Sequence, residues 1–554
     1  MFRLSLALAA ALCATAATAA TLIDHVNGIQ VNDQGRIARF SGLVVGDDGK
    51  VERLVRADEP SPAAARTIDG GGRTLLPGLI DSHGHVAGLG QTARTLDLVG
   101  TASLGELQQR LKDYAAAHPG DGWIIGRGWN QELWPVKTFP VAADLDSIVA
   151  NRPVVLERVD GHALVANSAA LRAAGVTATT PVPSGGQIDR GLFVDNAMDL
   201  IGAKIPDATS AERDQWLAAA QSMLLGYGIT ATTDMGTSPE VWAAMRRAGD
   251  AGTLKVRIIS YGSGLDGAKA ISPGGPTPWL YADHLRMNGV KLYGDGALGS
   301  RGAWLKAPYA DKPGSIGLRF HSDADYDALV ADAAAHHYQI ATHAIGDAAN
   351  AQVINAYASH GAASGDKRWR IEHAQIVDPR DLPKIGANHI IASMQPTHQT
   401  SDRLMAEARL GPNRLDGAYA WASMLRTGAR LAFGSDYPVE SPNPFPGLAA
   451  AISRQDMTGQ PPGGWRPEEK VTFAQALDAF TRGGAYAGFA DGKFGALAPG
   501  QWADFIIVDR DPTTIDPQAL ARTKVLETWI AGQRVWAAPA KAAPVSAPRP
   551  ERGK

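Results

Sequence analysis

"LLPGLIDSHGHV", Leu75 to Val86, carries the reading of the fold. It is an apolar run, interrupted at Pro77 and Gly78, that ends in two histidines two positions apart. Side chains alternate along an extended strand, so His83 and His85 share one face. Two imidazoles on one face at a strand end are what a metal ion needs. Taken alone, the pair is equally compatible with two polar loop residues.

Seven further strand-like runs follow: "ITATTDMG", "LKVRIISYG", "GVKLYGDG", "QIATHAIGD", "WRIEHAQIV", "HIIASMQPTH" and "RLAFGSDYPV". Helical stretches such as "SAERDQWLAAAQSMLLGYG" separate them. Eight strands alternating with helices predict an α/β chain folded as a (β/α)8 barrel, whose active site sits at the C-terminal strand ends. Those ends hold His83, His85, Lys291, His343, His373 and Asp436. One histidine at a strand end is usually structural; four with an aspartate are hard to place by chance. Neutral imidazole and carboxylate suit zinc and related divalent ions.

Residues 21–74 and 494–537 read as short strands and turns, outside a barrel spanning 75–493. The interval from about 101 to 205, rich in Trp, Gly and Pro, reads as an insertion after the first barrel strand, covering the mouth. Residues 538–554 form an Ala/Pro-rich tail that reads as disordered. Residues 1–20, with Arg3, an apolar run and Ala17-Thr18-Ala19, read as a cleaved secretory signal peptide. A periplasmic or secreted protein is expected. The single cysteine, Cys13, lies in that leader. The mature chain thus has no disulfide, thiol nucleophile or thiolate ligand.

The 554 residues carry a net charge of −3 and 20% charged side chains, with no basic run, so nucleic acid is not an expected partner. No other stretch is long and apolar enough to span a bilayer. The expected partner is a small-molecule substrate, with a homodimer left open.

"GVKLYGDGALGSRGAW", Gly289 to Trp304, has two readings. A phosphate-binding loop places its glycines before the lysine. Here Lys291 comes first, which weakens that reading and leaves a residue at the barrel mouth. Asp295, Ser300 and Arg301 line a pocket or serve turn and surface chemistry. His162 and His398 are candidate catalytic donors or locally satisfied polar groups, and Asp160 is less informative. Trp129, Trp134 and Trp304 form an apolar substrate wall or pack in a core.

The ordered set "LLPGLIDSHGHV", "GVKLYGDGALGSRGAW", "THAIGDAAN", "RIEHAQ", "MQPTH", "FGSDYPVESPNPFPGLAAAI" and "GALAPGQWADFIIVD" resembles the amidohydrolase superfamily of metal-dependent hydrolases. Within it, the chain is similar to the YtcJ-like branch that includes N-substituted formamide deformylases. The resemblance runs from about Leu22 to Trp536. It implies a distorted TIM barrel with a small β-sandwich built from both chain ends. It also implies His83, His85 and Asp436 on the more buried metal, and His343 and His373 on a second. Lys291 then matches a lysine carboxylated by CO2 that bridges two Zn2+ ions. A cationic Lys291 beside a single metal stays open as the alternative. The implied reaction is attack of a metal-activated hydroxide on a carbonyl, cleaving a non-peptide C–N bond, with Asp436 moving the proton. Cyclic amide, peptide-like or ester substrates, or a non-catalytic binding role, are the alternatives. His343 is followed by Ala-Ile-Gly-Asp, not by the glutamate that zinc deaminases of the superfamily carry nearby, which argues against deamination.

Overall fold

The computed structural model describes residues 20–159, 161, 163–183 and 186–539. The expected leader (1–19), most of the tail (540–554), Asp160 and His162 lie outside the described residues.

Eight parallel strands form one sheet in chain order: β1 Leu79–Gly84, β2 Ile229–Thr237, β3 Arg257–Ser263, β4 Leu285–Tyr293, β5 Gln339–Ala344, β6 Arg370–His373, β7 Ile391–Met394 and β8 Arg430–Phe433. The sheet curls until its edges meet. A parallel bridge joins Gly84 to Tyr437, and Asp436 N donates to His83 O at 2.7 Å. This is the expected distorted (β/α)8 barrel. Its helices start from local signals: Thr209 and Glu212 exchange capping bonds at the head of Ser210–Gly226, and Ser322 caps Asp323–Ala335.

The opening stretch is not one strand. Thr74–Pro77 pairs with Asn27–Val31 and Phe505–Val508 in a separate six-stranded sheet, and the barrel begins only at Leu79. Gly78 makes the transfer. A Cβ there would lie 2.2 Å from Thr230 Oγ1, so the chain crosses from sheet to barrel in close contact with β2. That sheet also contains Ile37–Phe40, Val525–Ile530 and Gln533–Ala537. A four-stranded sheet of Thr21–Asp24, Gly42–Val45, Val51–Val55 and Arg66–Asp69 faces it. Leu43, Val45, Leu75, Phe505 and Trp529 fill the core between them.

Between Val86–Thr92 and Ser210–Gly226 lies the inserted unit. Its six-stranded sheet starts at Leu96, earlier than the expected boundary at 101, and has its own core of Leu107, Leu111, Trp129, Leu145 and Leu156. Among the described residues no helix is long and apolar enough to cross a membrane.

Candidate metal centre

The site lies on the seam where the barrel closes. His83 is near the end of β1, His85 just beyond it, and Asp436 just after β8. Asp436 has φ +60, a left-handed backbone costing roughly 1–2 kcal/mol for a side-chain-bearing residue. That turn brings Asp436 Oδ1 to 3.1 Å from His85 Nε2 and 3.4 Å from His83 Nε2. Its Oδ2 lies 3.9 Å from His398 Nε2. Two glycines let the seam close: a Cβ on Gly434 would lie 2.5 Å from His83 N, and one on Gly84 2.2 Å from the Tyr437 ring.

Among the described residues two groups of three candidate ligand atoms result, each with its atoms within 4.8 Å of one another: His83, His85, Asp436 and His373, His398, Asp436. Asp436 belongs to both. His398, expected as a catalytic donor, lies in the first turn of Pro396–Leu410 and is by position also a candidate ligand. His343 falls in neither group. Its ring is 4.6 Å from that of His373, and its Nε2 is 3.6 Å from Asp295 Oδ1. Lys291 is buried, with Nζ 3.2 Å from His83 Nε2.

The donor set fits a divalent cation. The Nε2 atoms of His343 and His398 are buried without a hydrogen-bond partner. Burial, then the Lys291 charge, pushes His83 down to about 4 and His343 to about 3, so both rings are neutral and hold a lone pair to offer. Burial raises Asp436, but His83, His85 and His373 outweigh it and hold the carboxyl well below its usual range. Burial also pushes Lys291 down to about 8, which makes the free amine accessible near neutral pH. The side chain of His85, 35% exposed, marks the open side.

Supporting groups fix these ligands. Gln395 Oε1 is 2.9 Å from His373 Nδ1, and Glu372 Oε2 is 2.6 Å from His83 Nδ1. Asp81 accepts from Ser435 Oγ at 2.7 Å across the seam, and burial pushes its carboxyl up to about 7. Asp295 clasps two loops by accepting from the backbone N–H groups of Trp304, Ile345 and Gly346 at 2.8, 2.9 and 2.8 Å. Its place is under the loop rather than in an open pocket. Of these, Asp81, Ser435, Glu372 and Gln395 escaped the sequence reading. The signal for Glu372 was in "RIEH": Arg370 and Glu372, two apart, face the same way inside an apolar strand, which is tolerable only if they pair.

Other candidates lie elsewhere. Ser300 is in an exposed turn, and Arg301 pairs with Asp311 at 2.8 Å. Trp129 and Trp134 are no substrate wall. Both pack in the insertion core, and their indole N–H groups donate to the carbonyls of Leu156 and Thr101 at 2.8 Å. Trp304 is half-buried beneath Arg319, whose guanidinium is 4.8 Å from the ring. A cavity of about 380 Å³ lies between the insertion and the loop after Asp436; its walls include Leu89, Thr92, Val99, Arg127 and Val439.

The amidohydrolase family profile matches residues 66–536, which include every one of these ligands. The chain belongs to the amidohydrolase family. It is 31% identical over 507 residues to the YtcJ amidohydrolase of Bacillus subtilis (strain 168), covering 89% of this chain and 94% of the relative. It is 26% identical to the N-substituted formamide deformylase of Arthrobacter pascens, covering 90% of this chain and 93% of that one. Among solved structures, an uncharacterized metal-dependent hydrolase from Pyrococcus horikoshii OT3 superposes with a TM-score of 0.76 at 26% identity, covering 90% of this chain and 99% of the other. The protein is thus a metal-dependent hydrolase of the amidohydrolase superfamily.

Proposed function

We propose that this amidohydrolase cleaves a non-peptide C–N bond of a small amide, with N-substituted formamides as the first substrates to test. The observation that carries the reading is Asp436, a buried carboxylate shared by two sets of histidines at the barrel mouth. A pair of divalent ions, zinc by ligand type, would be held by His83, His85, Asp436, His373, His398 and His343 around Lys291. Bound metal supplies a water of lowered pKa and polarises a carbonyl. The chain's own part is to place Asp436 where it takes a proton and returns it to the leaving nitrogen. A carboxylated Lys291 would replace a cation among ligands with an anionic oxygen. The cavity beside the Asp436 loop, apolar on Leu89, Val99 and Val439, suits the nitrogen substituent. The name of the Arthrobacter pascens relative supports the formamide class. The apolar leader supports a periplasmic or secreted site for the reaction.

The test is amine release from N-formyl, N-acetyl and aryl amides by zinc-loaded protein, with metal counted per chain before and after Lys291→Ala. Amine release and about two ions, reduced by the substitution, are expected. A metal-loaded protein inert to amides but active on esters refutes the C–N assignment; an unchanged metal count refutes the role of Lys291.

A further inference from the structure

Beneath the ligands the barrel interior is polar, where such barrels are ordinarily filled by branched apolar side chains. Arg370 and Glu372, both on β6 and both 0% exposed, form a two-bond ion pair. Arg370 Nε donates to Glu372 Oε1 at 2.7 Å, and Nη2 to Oε2 at 3.1 Å. The same guanidinium donates to Ser82 O on β1 at 2.6 Å, Ser393 Oγ on β7 at 2.8 Å and Tyr261 Oη on β3 at 3.3 Å. Arg370 is thereby fixed to four strands, and it fixes Glu372 in turn.

Glu372 reaches upward to the first ligand. Its Oε2 is 2.6 Å from His83 Nδ1. A carboxylate held by arginine can only accept, so the Nδ1 atom must carry the hydrogen. With Nδ1 carrying the hydrogen, the neutral ring leaves its lone pair on Nε2, and Lys291 Nζ, a donor when protonated, lies 3.2 Å from it. Asp436 Oδ1, another acceptor, lies 3.4 Å from the same Nε2. Two lone pairs facing across that gap are reconciled by a cation between them.

We infer that Glu372, anchored by Arg370, is a positioning residue that locks His83 as the Nδ1–H tautomer and aims its Nε2 lone pair at the metal position beside Asp436. Glu372 touches neither substrate nor metal and acts through His83. Partners of this kind fix ring orientation and raise the basicity of the ligand nitrogen. The inference rests on the metal site proposed above.

The test compares zinc affinity, by competition with a chromophoric chelator, and apo-protein melting for wild type, E372Q, E372D and the double variant R370M/E372Q. The double variant removes both buried charges, so it avoids the unpaired Arg370 that E372Q alone would leave. Zinc binding about 10–100-fold weaker is expected in every folded variant lacking the carboxylate, with partial recovery in E372D. The apo double variant is expected to melt below wild type, because Ser82 O, Ser393 Oγ and Tyr261 Oη lose a buried donor, so zinc affinity is the readout that separates positioning from a merely structural ion pair, which would lower melting with no loss of affinity. A folded variant without the carboxylate that binds zinc within about threefold of wild type overturns the inference. Failure of the wild type itself to bind zinc instead overturns the underlying site.

Discussion

Asn350 offers a sharp test of how the turns carrying His343 and His373 are held. It lies in the first turn of helix Asp347–Ser359 and is fully buried. Its Nδ2 faces four carbonyl oxygens: Ala344, Ile345, Gly346 and Ile376 at 3.1, 3.3, 3.0 and 3.0 Å. Three belong to the turn after His343 and one to the segment after His373. An amide nitrogen has two hydrogens, so two full bonds are shared among four acceptors. Ala344, Ile345 and Gly346 O keep backbone N–H partners in Ala374, Ile376 and Asn350, so Asn350→Ala leaves Ile376 O as the buried carbonyl stripped of its donor, a loss of about 1–3 kcal/mol without pH dependence. Asn350→Asp keeps the shape but points a carboxyl at the four oxygens. It must stay protonated to bond any of them. Holding a carboxyl neutral at pH 8, about four units above its ordinary pKa of about 3.9, costs about 5–6 kcal/mol, and at pH 5 only about 1–2 kcal/mol. The sign follows: the introduced group has a raised folded-state pKa, so stability is retained at low pH and lost as pH rises. The assay is urea unfolding of both variants and wild type at pH 5, 6.5 and 8, followed by tryptophan fluorescence, with the wild-type profile subtracted. An Asn350→Asp penalty that does not grow with pH would refute the reasoning, as would an Asn350→Ala penalty below about 1 kcal/mol.

Two shorter expectations accompany it. Asp436→Asn preserves size but removes the charge common to both ligand groups; kcat/KM should fall by at least about 100-fold with far-UV circular dichroism unchanged, and near-wild-type turnover would exclude Asp436 from proton transfer. Burial raises Glu372, but Arg370 and His83 prevail and bring it down to about 2. A depressed carboxyl contributes stability that is present above its ordinary pKa of about 4.3 and lost as pH falls towards 2, so apo-protein melting should drop on acidification in wild type and less so in the E372Q protein.

The barrel and the ring of ligands were legible because apolar strand runs stop at residues too polar to be buried without a task. His83, His85, His373 and Asp436 stand at such stops, and the structure brings them together. What was illegible has physical reasons. Thr74–Pro77 and β1 are both buried on all sides, so one continuous apolar run conceals a change of sheet at Gly78. His398 was visible as a residue, yet its approach to Asp436 depends on the direction of a helix, which spacing does not encode. The layer of Tyr261, Asn288, Gln339 and Arg370 inside the barrel gives no periodic signal, because its hydrogen bonds run between different strands. Trp129 and Trp134 misled in the opposite sense: an inserted unit with its own core needs large apolar side chains whether or not it touches substrate.

Closure of the barrel and construction of the site are one event. The edges of the sheet, β1 and β8, meet through a single bridge at Gly84 and Tyr437, aided by Asp436 N to His83 O, His85 N to Tyr437 O and the Asp81–Ser435 bonds. His83 and His85, which supply two of those backbone atoms, are candidate ligands, as is Asp436 just after β8. A cation held by His83, His85 and Asp436 would therefore tie the first strand to the last where the ladder is thinnest. Opening of the seam would separate both imidazoles from the carboxylate at once. The left-handed turn at Asp436, unfavourable on its own, is the geometry that lets one carboxylate face both strand edges. In this family member, the geometry of the candidate metal centre and the last closure of the fold thus depend on the same few atoms.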